Sequence, residues 1–312
     1  MNKPIVRILL ATYNSRGYIG QMIESLLLQD YPKVRIVVSD DGSDDGTDRI
    51  LEEYALRYPD TIIHYRSGLR FGCAQKHFMH LLRRFQDSPY IMFCDQDDVW
   101  HEDKVSKTLD LMRRTESDAG VPVLVHTDLR VVDRDLRVIA PSFCKHSGLD
   151  GNRLAFRQLL VQNVVTGCTV MVNGALAHIA CEGCAADNML MHDWWLALLA
   201  SACGKVAFLD EQTIDYRQHG NNSVGAKNVR SAKYLLDRLK TGKSRRSMVD
   251  AAHQAQAFLD CYSEYMREND KLAASAFAST AESSLLVRDY VFLKHKLLKQ
   301  GLTRVTAQFL GL

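Results

Sequence analysis

The apolar run Tyr90-Ile91-Met92-Phe93-Cys94 stops at Asp95-Gln96-Asp97-Asp98, three carboxylates within four positions. Hard divalent cations favour oxygen ligands, and packed like charges repel unless a cation or hydrogen-bond donors offset them. A bound metal is one reading of this segment; a solvated acidic turn capping the next helix is the other. A second acidic segment, Val38-Ser39-Asp40-Asp41-Gly42-Ser43-Asp44-Asp45-Gly46-Thr47, runs from strand through paired acids and a glycine turn into a helix start. One acid there is free to accept from a base N–H or a ribose hydroxyl while Ser43 or Asp45 caps the helix, unless the turn is capped and binds nothing. Two further clusters are His192-Asp193-Trp194-Trp195 and Tyr216-Arg217-Gln218-His219. Taken alone, an acid at a helix start followed by aromatics is commonly a capped, core-packing helix. A single histidine is commonly structural.

These residues need elements to carry them to one place. Short β-branched runs alternate with longer amphipathic segments, the pattern of a parallel sheet covered by helices. Strands are expected at Val6–Thr12, Arg35–Asp40, Ile62–Arg66 and Tyr90–Cys94, and helices at Ile19–Gln29, Thr47–Tyr58, Ala74–Phe85 and Lys104–Ser117. Beyond them lie mixed elements: Val121–Val132 and Val164–Val172 as strands, His192–Cys203 as a helix, and Val206–Leu209 and Thr213–Arg217 as short strands. In an open α/β sheet the ligand crevice lies beyond the carboxyl ends of the strands, so Thr12-Tyr13-Asn14, Asp40-Asp41 and Asp95–Asp98 should converge. The first strand is followed by neither G-x-G-x-x-G nor G-x-x-x-x-G-K-[ST], which argues against a dinucleotide oxidoreductase and a P-loop ATPase.

The 312 residues, 46% apolar and 24% charged, suffice for a large buried core and exclude a disordered or disulfide-framework chain. Net charge is only +2, but it is unevenly spread: residues 1–226 hold 24 Lys+Arg against 29 Asp+Glu, and residues 227–312 hold 15 against 8. A boundary near residue 225 is therefore expected, with a basic helical extension over 226–312. No signal-like or membrane-spanning apolar run appears, so a cytoplasmic protein is expected, with peripheral membrane contact left open. The eight cysteines lack a framework spacing and read as reduced, buried thiols, and Cys181-Glu182-Gly183-Cys184 has no second ligand pair to make a zinc site.

Together, Ala11-Thr12-Tyr13-Asn14, Val38-Ser39-Asp40-Asp41-Gly42-Ser43 and Cys94-Asp95-Gln96-Asp97-Asp98-Val99-Trp100 resemble the family-2 glycosyltransferases of GT-A fold, inverting enzymes that use nucleotide-sugar donors. The resemblance covers roughly residues 5–225, and the Asp-Gln-Asp-Asp-Val-Trp form is most similar to bacterial polysaccharide enzymes, rhamnosyltransferases among them. It implies a Rossmann-like mixed sheet flanked by helices. It implies that Thr12, Tyr13 and Asn14 line the nucleotide pocket, that Asp41 contacts the base, and that Asp95 and Asp97 form the metal-binding Asp-x-Asp. Asp97 would be the direct ligand to Mg²⁺ or Mn²⁺, with Asp98 at the rim. Gly72, Lys76 and His77 fall where the family places donor contacts, although His77 stands where asparagine is common. Asp193 becomes the base that deprotonates the acceptor, His192 its neighbour, and Trp194 or Trp195 a platform for a sugar face. His219 becomes a metal ligand and Arg217 a phosphate contact.

The activity implied is transfer of a sugar from dTDP-rhamnose, or from a UDP-hexose or UDP-N-acetylhexosamine, to a glycan or lipid-linked glycan acceptor in bacterial surface polysaccharide synthesis. A non-catalytic nucleotide-sugar-binding scaffold is the alternative, and a nucleotidyltransferase is disfavoured because no glycine- and lysine-rich loop follows the first strand. Residues 227–246 and 288–312 combine Lys/Arg with apolar residues at helical spacing, for example Val291, Leu293, Leu297 and Leu298 near Lys294, Lys296 and Lys299. Such helices either lie on an anionic membrane surface or pack as a bundle or homodimer. Nucleic acid is not expected as a partner, since no recognition motif appears.

Overall fold

The structure is a computed structural model that describes residues 3–116, 120–183, 188–219 and 243–310. Its centre is β1 (Val6–Thr12), whose Val6, Ile8, Leu9 and Leu10 are wholly buried because the strand is covered on both faces. β1 pairs in parallel with β2 (Val34–Asp40) on one side and β4 (Tyr90–Cys94) on the other, and β2 pairs in parallel with β3 (Ile62–His64). The register sets Thr12 beside Asp40 and Leu10 beside Cys94, so three polar strand ends share one edge. The helices α1 (Ile19–Leu27), α2 (Thr47–Arg57), α3 (Ala74–Arg84) and α4 (Lys104–Thr115) follow the amphipathic segments to within a few residues.

The other half of the sheet is mixed. β8 (Met171–Asn173) lies antiparallel between β4 and β6 (Val123–Val132), and β9 (Lys205–Arg217) runs parallel to β6. β5 (Val99–Trp100) closes the far edge antiparallel to β9, and β7 (Val138–Ala140) pairs with β6 off the main path. Pairing of Val99 with Asp215 carries the acidic segment to the end of β9, two residues from Arg217 and four from His219. Two expectations differ here. Residues 164–170 are a buried loop containing the 3-10 turn Gly167–Thr169, not a strand: Asn163 bonds both the N–H and the C=O of Val165 and bends the chain. The two short strands expected at 206–217 are one continuous β9, whose register shifts opposite Thr127–Arg130 mask the alternation.

After α5 (Phe143–His146), α6 (Phe156–Val161), α7 (Gly174–Glu182) and α8 (His192–Cys203), the described chain resumes at α9 (Lys243–Tyr262), α10 (Glu268–Ala278), α11 (Leu285–His295) and α12 (Leu302–Phe309). The expected boundary near residue 225 and most of the basic segment 227–246 lie outside the described residues. The C-terminal helices share a core with the sheet: Met248, Ala251, Ala255, Phe258 and Tyr262 of α9 join Trp195 and Leu199 of α8 and Phe156 and Leu160 of α6 in one apolar cluster. Val291 and Leu297 are buried in that packing, so those two positions of the expected basic face serve the bundle, whereas Leu293 is exposed. Among the described residues no helix is long and apolar enough to cross a membrane.

The cysteine expectation needs one correction. Cys73, Cys94, Cys144, Cys168, Cys181 and Cys203 are free thiols, but Cys261, half-buried near the end of α9 and outside the apolar strand core, is disulfide-bonded. Burial pushes the Cys181 thiol up to about 11, which leaves it protonated and unreactive.

Asp215 ties three strands at the site edge, accepting from Arg130 Nε at 2.5 Å and Nη2 at 2.7 Å and pairing with His101 at 3.2 Å. Burial pulls its carboxyl upward, but the His101 and Arg130 hydrogen bonds outweigh that and hold it at about 2. A depressed acid adds stability above its unfolded pKa and loses it as pH falls through the folded one. Asp215→Asn is therefore expected to lose about 1 to 2 kcal/mol at neutral pH, discounted for the open side of Arg130, and thermal melts should show the gap to wild type closing between about pH 4 and 2.

Candidate active site

A cavity of about 890 Å³ opens along the shared strand edge. From the parallel half it is lined by Thr12, Tyr13, Asn14, Asp41, Asp95 and Asp97; from the mixed half by Asn163, Gly167, His192, Asp193 and His219. The loops at the strand tips are stitched together. Thr12 Oγ1 donates to Asp40 Oδ1 at 2.9 Å, and Asp40 Oδ2 accepts from the N–H groups of Gly42 and Ser43, so Asp40 holds the turn. Asp45 rather than Ser43 caps α2, accepting from the Thr47 N–H at 2.9 Å, while Ser43 Oγ accepts from the Asn14 N–H at 2.8 Å. Gln96 bonds Tyr13 in both directions, from Nε2 to the carbonyl at 3.0 Å and from the Tyr13 N–H to Oε1 at 2.5 Å.

Asp41 is buried and accepts from the N–H groups of Phe71 at 2.5 Å and Gly72 at 2.8 Å. It thereby folds the 70–72 loop over the strand-tip end of the cavity, where the Arg70 guanidinium lies across Gly42. A Cβ at Gly42, whose φ is +81°, would sit 2.7 Å from Arg70 Nε. Gly72 lines the cavity, but Lys76 does not. Lys76 is on the exposed side of α3, about a quarter-turn from the inward stripe, and His77 takes the inward place with its Nε2 3.0 Å from Ser39 Oγ and its ring stacked 4.7 Å from Phe71.

At the centre, Asp97 Oδ2 and His219 Nε2 are 2.7 Å apart, both side chains largely covered, and the His219 ring stacks on Tyr18 at 4.9 Å. The Asp95 carboxyl is raised by burial, then by the charges of Asp97 and Asp193. A carboxylate pair and an imidazole line the same cavity, and Asp95, Asp97 and His219 are the oxygen and nitrogen donors there that could hold a divalent cation. Asp98 and Cys168 also approach Asp95, all within 4.8 Å, but on the buried side and outside the cavity lining. Burial keeps the Cys168 thiol protonated, and Asp98 Oδ1 is taken by the Arg217 N–H at 3.0 Å, so these two stand behind the site.

Arg217 departs from its expected phosphate contact. It is buried and outside the cavity lining, with Nε on the Asp97 carbonyl at 2.7 Å, Nη1 on the Arg134 carbonyl at 2.5 Å, Nη2 on Gln21 Oε1 at 2.6 Å, and its plane 5.0 Å from the Tyr18 ring. Every guanidinium nitrogen is committed, which makes it a brace for the Asp97 loop.

Asp193 begins α8 and accepts from the Trp194 N–H at 2.5 Å, from Asn163 Nδ2 at 3.2 Å and from the Gly167 N–H. Burial raises it to about 7 against those donors. His192 beside it is buried between Phe78 and Phe93, has no hydrogen-bond partner on either ring nitrogen among the described residues, and is held neutral by burial at about 3. The two tryptophans are not platforms. Trp195 is wholly buried against Phe258 at 5.3 Å and Tyr262 at 5.8 Å because it falls on the inward stripe of α8, and Trp194, half-buried and outside the cavity lining, donates Nε1 to the Leu159 carbonyl at 2.6 Å. Sequence reading missed Asn163, Gly167 and Tyr18. Asn163 before Val-Val-Thr-Gly is a turn signal, but it sits inside an apolar run that reads as strand.

The mixed sheet flanked by helices, with acidic strand tips lining one cavity, is a GT-A fold. The chain aligns with S. aureus TarS 1-349 at a TM-score of 0.57 over 89% of its length and 71% of that chain, and with the mannosyltransferase PcManGT from Pyrobaculum calidifontis, solved with GDP-Man and Mn²⁺, at 0.56 over 99% and 86%, each at 16% identity. It is also 30% identical over 233 residues to the dTDP-rhamnosyl transferase RfbG of Shigella flexneri, covering 72% of this chain and 76% of that protein. Residues 7–176 match the model of glycosyl transferase family 2, and the chain belongs to that family.

The brace role of Arg217 has a direct check. Arg217→Lys keeps the charge but loses the fork, so ligand-free thermal stability should fall by about 2 to 4 kcal/mol. A residue serving only a phosphate would leave that melt unchanged.

Proposed function

We propose that the protein is a metal-dependent inverting glycosyltransferase that moves a sugar from a nucleoside diphosphate to a glycan or lipid-linked glycan acceptor in bacterial surface polysaccharide synthesis. The observation that carries this reading is the presence in one cavity of Asp41 at the nucleotide end, Asp95, Asp97 and His219 at the centre, and Asp193 opposite. The likeness to RfbG favours dTDP-rhamnose as donor, ahead of a UDP-hexose or UDP-N-acetylhexosamine. A scaffold that only binds nucleotide sugar has no need of a buried acid held near neutrality by its surroundings, as Asp193 is.

In this mechanism Thr12, Tyr13, Asn14 and the 70–72 loop hold the nucleoside. Asp193 accepts the acceptor hydroxyl proton while that oxygen bonds to the anomeric carbon from the face opposite the diphosphate, and the bond from that carbon to the diphosphate oxygen breaks. Asn163 and the Gly167 N–H fix the orientation of Asp193. When bound, a divalent cation held by Asp95, Asp97 and His219 would supply Lewis-acid neutralisation of charge on the departing diphosphate.

A thermal-shift screen of nucleoside diphosphates and sugar nucleotides, with and without Mn²⁺, tests class and donor together, because binding raises apparent stability by mass action. Metal-dependent stabilisation by one sugar nucleotide is expected and should vanish in Asp97→Ala; no response to any of them would reject the reading. Asp193→Asn should keep the donor shift and lose about 10²- to 10⁴-fold in kcat, measured by product formation. Because only ionised Asp193 accepts a proton, wild-type turnover is expected to fall about tenfold per pH unit below about 7. A flat profile would remove it as the base.

A further inference from the structure

Helix α11 is apolar on two sides, and among the described residues only one is packed against protein. Val291 and Phe292, with Arg288, face inward and are buried. On the opposite side Leu286 is 85% exposed, Tyr290 61% and Leu293 63%, a spacing of four and three residues that aligns them on one stripe. Leu285 and Val287, flanking Leu286, are about half exposed as well (52% and 50%). Exposed leucines scattered singly are ordinary, but a row of large apolar side chains on one short helix is not.

The row ends in cations. Lys294 Nζ lies 5.4 Å from the centre of the Tyr290 ring, and Lys296, just past the helix, is exposed with no ion-pair partner among the described residues. Asp289 is already paired with Arg288 at 3.1 Å and offers little opposing charge. His295 is held below its ordinary range by burial first, with Lys294 and Arg157 adding to it.

We infer that this face of α11 docks on an anionic lipid bilayer, with Leu286, Tyr290 and Leu293 in the acyl boundary and Lys294 and Lys296 against lipid phosphates. A phenol and a lysine stem at the edge of an apolar stripe match the change from acyl chains to headgroups. The crest of a three-turn helix offers well under the ~800 Å² per partner that a stable contact between two folded copies takes, whereas a membrane asks for no matching groove. The surface is also coupled to the cleft. Beyond α11 the Leu298 carbonyl accepts from Arg153, Gln300 Oε1 accepts from the Asp150 N–H, and the next residue back, Leu149, lines the cavity. Docking would therefore set the Leu149 wall close to acceptors anchored in lipid. The inference goes beyond the glycosyl-transfer reading and needs neither donor nor metal to hold.

The test is co-sedimentation of the full chain with phosphatidylcholine vesicles with and without phosphatidylglycerol. Wild type is expected to pellet with the anionic vesicles only. The Leu286→Ser/Leu293→Ser and Lys294→Glu/Lys296→Glu double variants, all at exposed positions and with unchanged melts, should each lose about tenfold in partitioning. Wild type remaining in the supernatant, or both variants pelleting like wild type, overturns the inference. So does a wild-type dimer in sedimentation velocity that the serine variant dissociates, since that outcome gives the face to a second copy.

Discussion

Repulsion among buried carboxylates is the constraint around which the molecule is arranged. Asp95 and Asp98 are both driven upward by burial first and by neighbouring acids second, and Asp193 adds its charge to Asp95 from across the cavity. The protein answers with cations placed where they do not block the cavity. Lys104 is wholly buried behind the tip, its Nζ 4.6 Å from the Trp100 ring and 3.4 Å from Thr213 Oγ1. Burial lowers it to about 8, against the pull of Cys168, Cys94 and Asp98 beside it. An amine so placed is too costly to be idle packing. Arg217 does the corresponding work on the other side, its guanidinium bonding the Asp97 carbonyl and its backbone N–H the Asp98 carboxylate.

Such an arrangement has to be stiff, because carboxylates free to move would separate. Backbone groups supply much of that stiffness: Asp40 rests on two amides, Asp41 on two amides of the 70–72 loop, and Asp193 on two amides and one carboxamide. Gly167 shows how tight the packing is, since a Cβ there would lie 2.9 Å from His192 Nε2 and 3.6 Å from Asp193 Oδ2. The absence of a side chain at one position thus lets the acid and its neutral histidine neighbour approach the loop that orients them.

The parallel half of this design was legible in the sequence, and for a physical reason. β1, β4 and α8 have the boundaries expected because each is a buried run stopped by polar residues, and the order of strands alone sends Thr12, Asp40 and Asp95 to one edge. Burial without periodicity was the weak point. The 164–170 segment is as apolar as a strand, yet it is a loop packed under α8, and Trp195, an aromatic next to a candidate base, is core. Type and position suggested ligand contacts for Arg217 and Lys76, but which way a side chain points depends on partners far away in sequence, such as Gln21 and Arg134 for Arg217.

The two ends of the cleft are therefore held by different parts of the chain. One end is built from strand tips and the turns that follow them, so it is fixed by local sequence and by one parallel register. The opposite wall, with Phe143, Leu149, Val164 and Val165, is short loops and helices propped from outside. Arg304 of α12 donates to the Ser147 and Gly148 carbonyls at 2.5 and 2.7 Å, Gln300 N–H to Gln162 Oε1 at 2.7 Å, and Arg153 to the Leu298 carbonyl at 2.8 Å. Take the C-terminal helices away and that wall loses both its polar ties and the apolar backing of Phe258 and Tyr262 against α8. Asp193 stands at the seam between the halves, its helix backed by α9 and its charge felt by Asp95. A change in the C-terminal helices thus reaches Asp193 through packing alone, while the strand-tip end stays as the register sets it.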